Sequence, residues 1–323
     1  MNRITGFKKM SAVSTEEEYV LTQSGCIPVY TIKSFHTLTQ FIGYGKYLNR
    51  SIGNVYLRGQ NSLYDGRLSP SLLRSELVIG ENPLTKTPDE AMQRSNAKFK
   101  DINCAKRILH YKHNIKISAQ KTKHFQNWEP DKLEPLLQHY GIKTHWIDVV
   151  DNTWIALWFA THQSKSIIAD NREYIHLFEN TESPYAFLLL IGSDALKEDP
   201  IHPGLYTGPT TVQVDLRKAV PSYFLRPHAQ HAIMLRKNSQ DHNTFRDYTD
   251  QIIGIAKIAV SDVLQWIGQT GLLSVQSLFP PPYYDTGYTN LLNEYKITEP
   301  LIMSERDAKN YIQLYGSIQG ISH

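Results

Sequence analysis

Arg58 ends an apolar run and is followed by Gly59 and Gln60. A planar guanidinium beside a glycine grips a phosphate or a carboxylate, and an arginine in that place serves equally to staple its loop to a carboxylate such as Asp148. Further on, His139, Tyr140 and Gly141 close a predicted helix, and Thr144 and Asp148 follow four residues apart. On a strand that spacing puts the hydroxyl and the carboxylate on one face. Alone, His139 or Tyr140 reads as a hydrogen-bonded residue at the edge of a core; with Arg58, Thr144 and Asp148 they read as a pocket wall. Later still, Gln230 and His231 open another apolar run. An amide there orients a hydroxyl, and an imidazole moves a proton.

The elements that must hold these groups follow from periodicity. Ile27 to Ile32 and Ile52 to Arg58 are predicted strands, and Ser34 caps a helix reaching Tyr47. A helix over Asp131 to Tyr140 stops at Gly141, a residue suited to the left-handed C-cap. A strand over Lys143 to Val149 leads through Asp151, Asn152 and Thr153, which supply a cap, into the helix Trp154 to His162. Short strands then dominate: Tyr174 to Phe178, Tyr185 to Ile191, Thr211 to Leu216 and His231 to Arg236, before a last helix over Ser261 to Gly268. This pattern predicts an α+β fold in a single domain over residues 1–323, with a helical insertion at about 75–127 and an extension after residue 236.

That insertion is basic. Between Ala91 and Asn127 stand nine Lys or Arg, Lys112, Lys116, Lys121 and Lys123 among them, against the single acid Asp101, in a chain whose net charge is only +3. Histidines and aromatics are interleaved, which suits a phosphate backbone with bases to stack on, so nucleic acid is the expected partner, with a solvated helical face as the alternative. Composition is globular, at 41% apolar and 20% charged residues. The sequence carries no P-loop, no GxGxxG after a strand, no GxSxG, no HExxH and no CxxC pair, which disfavours the commonest enzyme classes and gives no reason to expect a metal. Two lone cysteines, Cys26 and Cys104, and an N-terminus without an apolar leader point to the reducing cytoplasm. No apolar stretch is of membrane-spanning length, so no membrane partner is expected.

Four blocks together resemble the FRG domain family: Leu57-Arg58-Gly59, Pro70-Ser71-Leu72-Leu73-Arg74, Gln138-His139-Tyr140-Gly141 with Thr144 and Asp148, and Ala156 to Ala160. The resemblance covers about residues 27–236. Leu57 stands where the family has its aromatic, and His145 where an arginine commonly follows the threonine, replacing a permanent charge by a titratable ring. The order of elements is also similar to that of the ADP-ribosyltransferases. That likeness implies a fold of short strands like theirs, with NAD as substrate and no metal. Arg58, Gly59, Gln60, Arg74, His139, Tyr140 and Thr144 would hold the nucleotide, and Arg58, Asp148, Gln230 and His231 would do the chemistry on a nucleic-acid acceptor. Where a glutamate would open the last strand this chain has Gln230, which cannot take a proton, so the base would be His231, Asp148 or the acceptor itself. The resemblance further implies a toxin or phage-defence effector with a regulating or neutralising protein. A metal-independent nuclease using His139 or His231, and a nucleotide- or RNA-sensing module without turnover, stand as alternatives.

Overall fold

The computed structural model describes residues 1–7, 17–22, 25–64, 68–73, 84–90, 109, 125, 128–169, 172–179, 183–241, 244, 247–268, 271–294 and 314–315. Its strands run in chain order as β1 (Glu17–Thr22), β2 (Gly25–Ile32), β3 (Gly53–Gln60), β4 (Leu84–Thr85), β5 (Ile147–Val149), β6 (His162–Ala169) and β7 (Arg172–Glu179). They continue as β8 (Tyr185–Asp194), β9 (Lys197–Glu198), β10 (Leu205–Thr207), β11 (Thr211–Asp215), β12 (Ile233–Lys237), β13 (Ile252–Ala259) and β14 (Leu314–Tyr315). The helices are α1 (Phe35–Asn49), α2 (Pro130–His139), α3 (Thr153–Thr161), α4 (Leu216–Ala219), α5 (Leu225–Ala229), α6 (Val260–Ile267), α7 (Val275–Leu278) and α8 (Thr286–Glu294).

Three sheets result, ordered β3-β8-β13-β2-β1-β4, β5-β12-β11-β10-β9 and β14-β7-β6. Pairing is antiparallel except for β13 with β2 and β14 with β7. Side-chain alternation then decides the layers. From β8, Leu188 and Leu190 pack with Leu38 and Phe41 of α1 and Leu157 of α3. From its opposite face, Phe187, Leu189 and Ile191 meet Ile147, Val149, Ile233 and Leu235 of the second sheet. Met234 and Val214 turn the other way, onto Leu136, Leu137 and Phe224. The order is therefore helix, sheet, sheet, helix, and each fully buried Leu or Ile contributes about 1.5–3 kcal/mol by leaving water.

The α+β reading holds, and Ser34 caps α1 as predicted, its hydroxyl accepting from the Thr37 amide at 3.2 Å. Three expectations change. The strand predicted over Lys143 to Val149 is only Ile147–Val149, because Thr144 closes a turn, taking the Trp146 amide on its hydroxyl at 3.1 Å. Thr144 and Asp148 thus do not share a strand face. The strand predicted from His231 begins at Ile233, since Gln230 caps α5 and His231 turns with φ +50°. Within 75–127, the described residues 84–85 form strand β4 against β1 rather than helix; Lys112, Lys116, Lys121, Lys123 and Arg74 lie outside the described residues.

Among the described residues after 236, β13 is built into the core, lying in the first sheet between β8 and β2. The two large sheets touch through one antiparallel bridge. Leu57 and Val150 exchange both backbone hydrogen bonds at 2.8 Å.

Candidate functional site

Beside that bridge lies a cleft of about 240 Å³. Arg58 and Gly59 of β3, Asp148 of β5, Gln138 and His139 at the end of α2, Phe159 of α3, Gln230 and Phe279 line it. Gly59 is required for a reason the sequence left open. A Cβ there would stand 1.8 Å from the carbonyl oxygen of Ala156 and 2.7 Å from the Ala160 nitrogen. The glycine admits the backbone of α3, and the close approach brings Phe159 to the cleft.

Arg58 is half-buried and donates from Nη1 to the backbone carbonyl of Asp148 at 2.5 Å. The stapling role is therefore present, made to the main chain, while the same side chain lines the cleft and an adjoining polar recess of about 250 Å³. Gln60, Asn61, Tyr64, His162 and Gln163 complete that recess, with Phe159 shared between the two. With its amide oxygen turned toward Arg58, Gln60 accepts from Nε at 3.2 Å.

The end of α2 is fixed by its glycine. Gly141 has φ +105°, the Ile142 amide bonds back to the Leu137 carbonyl at 3.1 Å and the Gly141 amide to that of Gln138 at 3.0 Å, a Schellman closure. It holds the last turn of α2 so that Gln138 and His139 face β5. Gln138 donates to Asp148 Oδ2 at 2.5 Å and accepts from the Thr144 hydroxyl. His139 Nε2 lies 3.2 Å from Asp148 Oδ1, and its Nδ1 lies 3.0 Å from Gln230 Oε1. Gln230 in turn donates to the Leu278 carbonyl at 2.8 Å. Burial pushes the Asp148 carboxyl up, but the hydrogen bond and charge of His139, the Arg58 guanidinium and the Gln138 amide outweigh it and hold the group below its ordinary value. Its side chain remains 41% exposed, so this carboxylate is offered to the cleft.

The other expected residues divide. Arg58, Gly59, His139, Asp148 and Gln230 come together, with Gln60 next door. Tyr140 does not reach the cleft: its ring is fully buried against the Arg226 guanidinium at 4.7 Å, and its hydroxyl donates to Asp285 at 2.7 Å. Burial first and Asp285 second raise that hydroxyl far above its usual value. Thr144 is also fully buried and acts only through Gln138. His231 opens onto a different groove, beside Trp154 and Trp266, where it lies 3.8 Å from Asp151. His145 is sealed in the core 3.6 Å from Glu134, so it contacts no ligand anion.

Phe159, His162 and Phe279 were missed as site residues, and Gln138, which opens the segment expected to form the site, was given no role of its own. Gln138 and Phe159 lie within the family blocks, where nothing in the residue type alone marks them for the cleft. His162 and Phe279 become neighbours only through the tertiary fold; His162 stacks on Trp158 with ring centroids 3.9 Å apart. Among the described residues no cluster of three or more His, Cys, Asp or Glu is placed to hold a metal. Nor, among them, is any helix long and apolar enough to cross a membrane.

The family model of the FRG domain matches residues 53–167. That stretch contains Arg58, Gly59, Gln138, His139, Asp148 and Phe159, while Gln230 and Phe279 lie beyond it. No curated protein and no solved structure matches the chain.

Proposed function

We propose, with an FRG domain across residues 53–167 as the premise, that the cleft takes NAD and that the protein is an ADP-ribosyltransferase-like enzyme. One observation carries this reading: an ionised, half-exposed carboxylate, Asp148, opens into a recess walled by Leu57, Val150, Phe159 and Phe279, with a guanidinium at its junction with a polar recess. The nicotinamide end of NAD is a flat cation, which suits an apolar, aromatic chamber with a carboxylate turned into it. The diphosphate suits Arg58, and ribose hydroxyls suit the amides of Gln60, Asn61 and Gln163.

The chemistry follows from that placement. As the bond from C1′ of the ribose to the pyridinium nitrogen breaks, nicotinamide leaves with the bonding electrons and positive charge grows on C1′. Asp148 stabilises that charge without reorganising, because its neighbours already hold it ionised. The acceptor's oxygen or nitrogen then bonds to C1′ and gives up its proton. A carboxylate kept below its ordinary value is a weak base, so the electrostatic role suits Asp148 better than proton removal. Gln230 uses both ends of its amide within the protein and so positions His139 instead of touching ribose. His231 has no part in this reading. A nucleic-acid acceptor remains the proposal for the basic stretch that includes Lys112, Lys116, Lys121 and Lys123, on charge alone.

The nuclease alternative is less well supported, because the ring of His139 is buried between Asp148 and Gln230 and His231 belongs to another groove. Incubating the protein with NAD labelled in the nicotinamide ring, alone and with RNA, DNA or protein, tests the proposal. Release of labelled nicotinamide is expected, lowered about 100-fold or more by Asp148→Asn. Tight NAD binding without release would leave a sensing module; neither binding nor release with any acceptor would reject the reading.

A further inference from the structure

We infer that His139 and Asp148 hold one proton between them as an imidazolium–carboxylate pair, and that Gln230 and Gln138 are the positioning residues that force it there. The polarity of the hydrogen bonds on either side requires it. Gln230 Nε2 donates to the Leu278 carbonyl, which turns Oε1 toward His139 Nδ1 at 3.0 Å. An amide oxygen only accepts, so Nδ1 carries a hydrogen. On the other side the Trp146 amide donates to the Thr144 hydroxyl, the hydroxyl donates to Gln138 Oε1, and Gln138 Nε2 donates to Asp148 Oδ2. Both amides are thereby locked in one orientation, pointing their polarity inward from opposite ends.

What remains in the middle is His139 Nε2 and Asp148 Oδ1, 3.2 Å apart. Both atoms are shielded from solvent, and neither has another hydrogen-bond partner. Were the ring neutral and the acid ionised, two buried lone pairs would face each other with no donor able to reach them, at a cost of about 1–3 kcal/mol for each group. A hydrogen between them removes that cost. Of its two possible homes the ring nitrogen is favoured, because Arg58 stands beside Asp148 with Nη1 on its backbone carbonyl and favours the ionised acid. The other charged group nearby, Arg226, donates from Nη1 to the backbone carbonyl of His139 at 2.7 Å and leaves the ring to its two partners.

Asp148 therefore presents to the cleft a carboxylate fixed in rotation at both oxygens. This rests on the reading of Asp148 as the working carboxylate of the cleft, and it does not require that the ligand be NAD.

Nitrogen NMR of the full chain labelled in its histidines provides the test, with the His139 signals assigned by their loss in His139→Gln. In the unsubstituted protein at pH 7 both ring nitrogens are expected to show protonated shifts; a bare nitrogen there overturns the inference, and this measurement needs no variant to fold. In Asp148→Asn the ring is expected to lose one proton at pH 7, whereas retention of both would show that Asp148 is not the partner. Gln230→Leu removes the acceptor on Nδ1 and should release the second ring proton at a lower pH than in the unsubstituted protein, with Gln230→Glu restoring it. Indifference of the ring to both Gln230 variants would strip that residue of its positioning role. Because the readout is spectroscopic, a doubly protonated ring in a protein that neither binds NAD nor releases nicotinamide would sustain the proton pair and reject NAD alone.

Discussion

Replacing Gly59 by alanine separates two meanings of a glycine next to a working arginine. If Gly59 exists to let a ligand approach, an added methyl blocks binding and leaves the fold alone. In this structure the methyl instead meets main chain: 1.8 Å to the Ala156 carbonyl oxygen and 2.7 Å to the Ala160 nitrogen. An ordinary carbon–oxygen contact is about 3.3 Å, so β3 and α3 would have to part by roughly 1.5 Å. Neither obstacle is a side chain that can swing aside, and the cost belongs at the upper end of overpacking, about 3 kcal/mol. With a urea dependence of about 3 kcal/mol per molar for a chain of this size, the unfolding midpoint should fall by roughly 1 M. Gly43 in α1 is the control, since a Cβ there meets nothing within 4 Å. Gly43→Ala should leave the midpoint unchanged or raise it, through the better helix propensity of alanine. A Gly59→Ala midpoint within about 0.2 M of the parent would refute the packing argument and return the glycine to a ligand.

Arg58→Ala should cost about 1.5–3 kcal/mol, the worth of a hydrogen bond from a charged donor, besides abolishing binding of a phosphate-bearing ligand; thermal denaturation and calorimetry read the two separately. Arg58→Lys should not restore the binding, because an ammonium lacks the fork that reaches a ligand and the Asp148 carbonyl together. The folded protein holds Asp148 below its ordinary value, so its ionisation stabilises the fold above the unfolded value of about 3.9 and this contribution is lost as the pH falls through the lower folded value. Asp148→Asn should therefore flatten the acid limb of the stability curve below about pH 4, and an unaltered limb would show that the carboxylate is not held as described.

Where local chemistry dominates, the sequence was a sufficient guide. The hydroxyl of Ser34, the glycine that ends α2 and the apolar run Tyr185 to Ile191 each produce the element expected of them. It failed where a side chain competes with the ladder: the Thr144 hydroxyl takes the Trp146 amide and delays β5 until Ile147. Grouping Arg58, His139 and Asp148 was possible because they fall within a few recurring blocks. Excluding Tyr140 was not, since its burial depends on Arg226 and Asp285, far along the chain. Gln230 does stand beside His139, and its amide nitrogen donates to the Leu278 carbonyl, a partner invisible to periodicity.

The stretch matched as an FRG domain has a peculiar position in the strand order. β3 and β4 are the two ends of the first sheet, β5 is an end of the second and β6 an end of the third. Every named strand that starts between residues 53 and 167 is thus a border; of the interior strands, β1 and β2 come from earlier in the chain and β7, β8, β10, β11, β12 and β13 from later. What is recognisable in the sequence is accordingly the lip of a vessel whose body is made elsewhere. A polypeptide limited to residues 53–167 would carry Arg58, His139 and Asp148 without the interior strands that seat them, and its orphaned strand margins would pair with one another between molecules. The smallest piece able to show this site must extend at least through Asp285, which receives the hydroxyl of Tyr140.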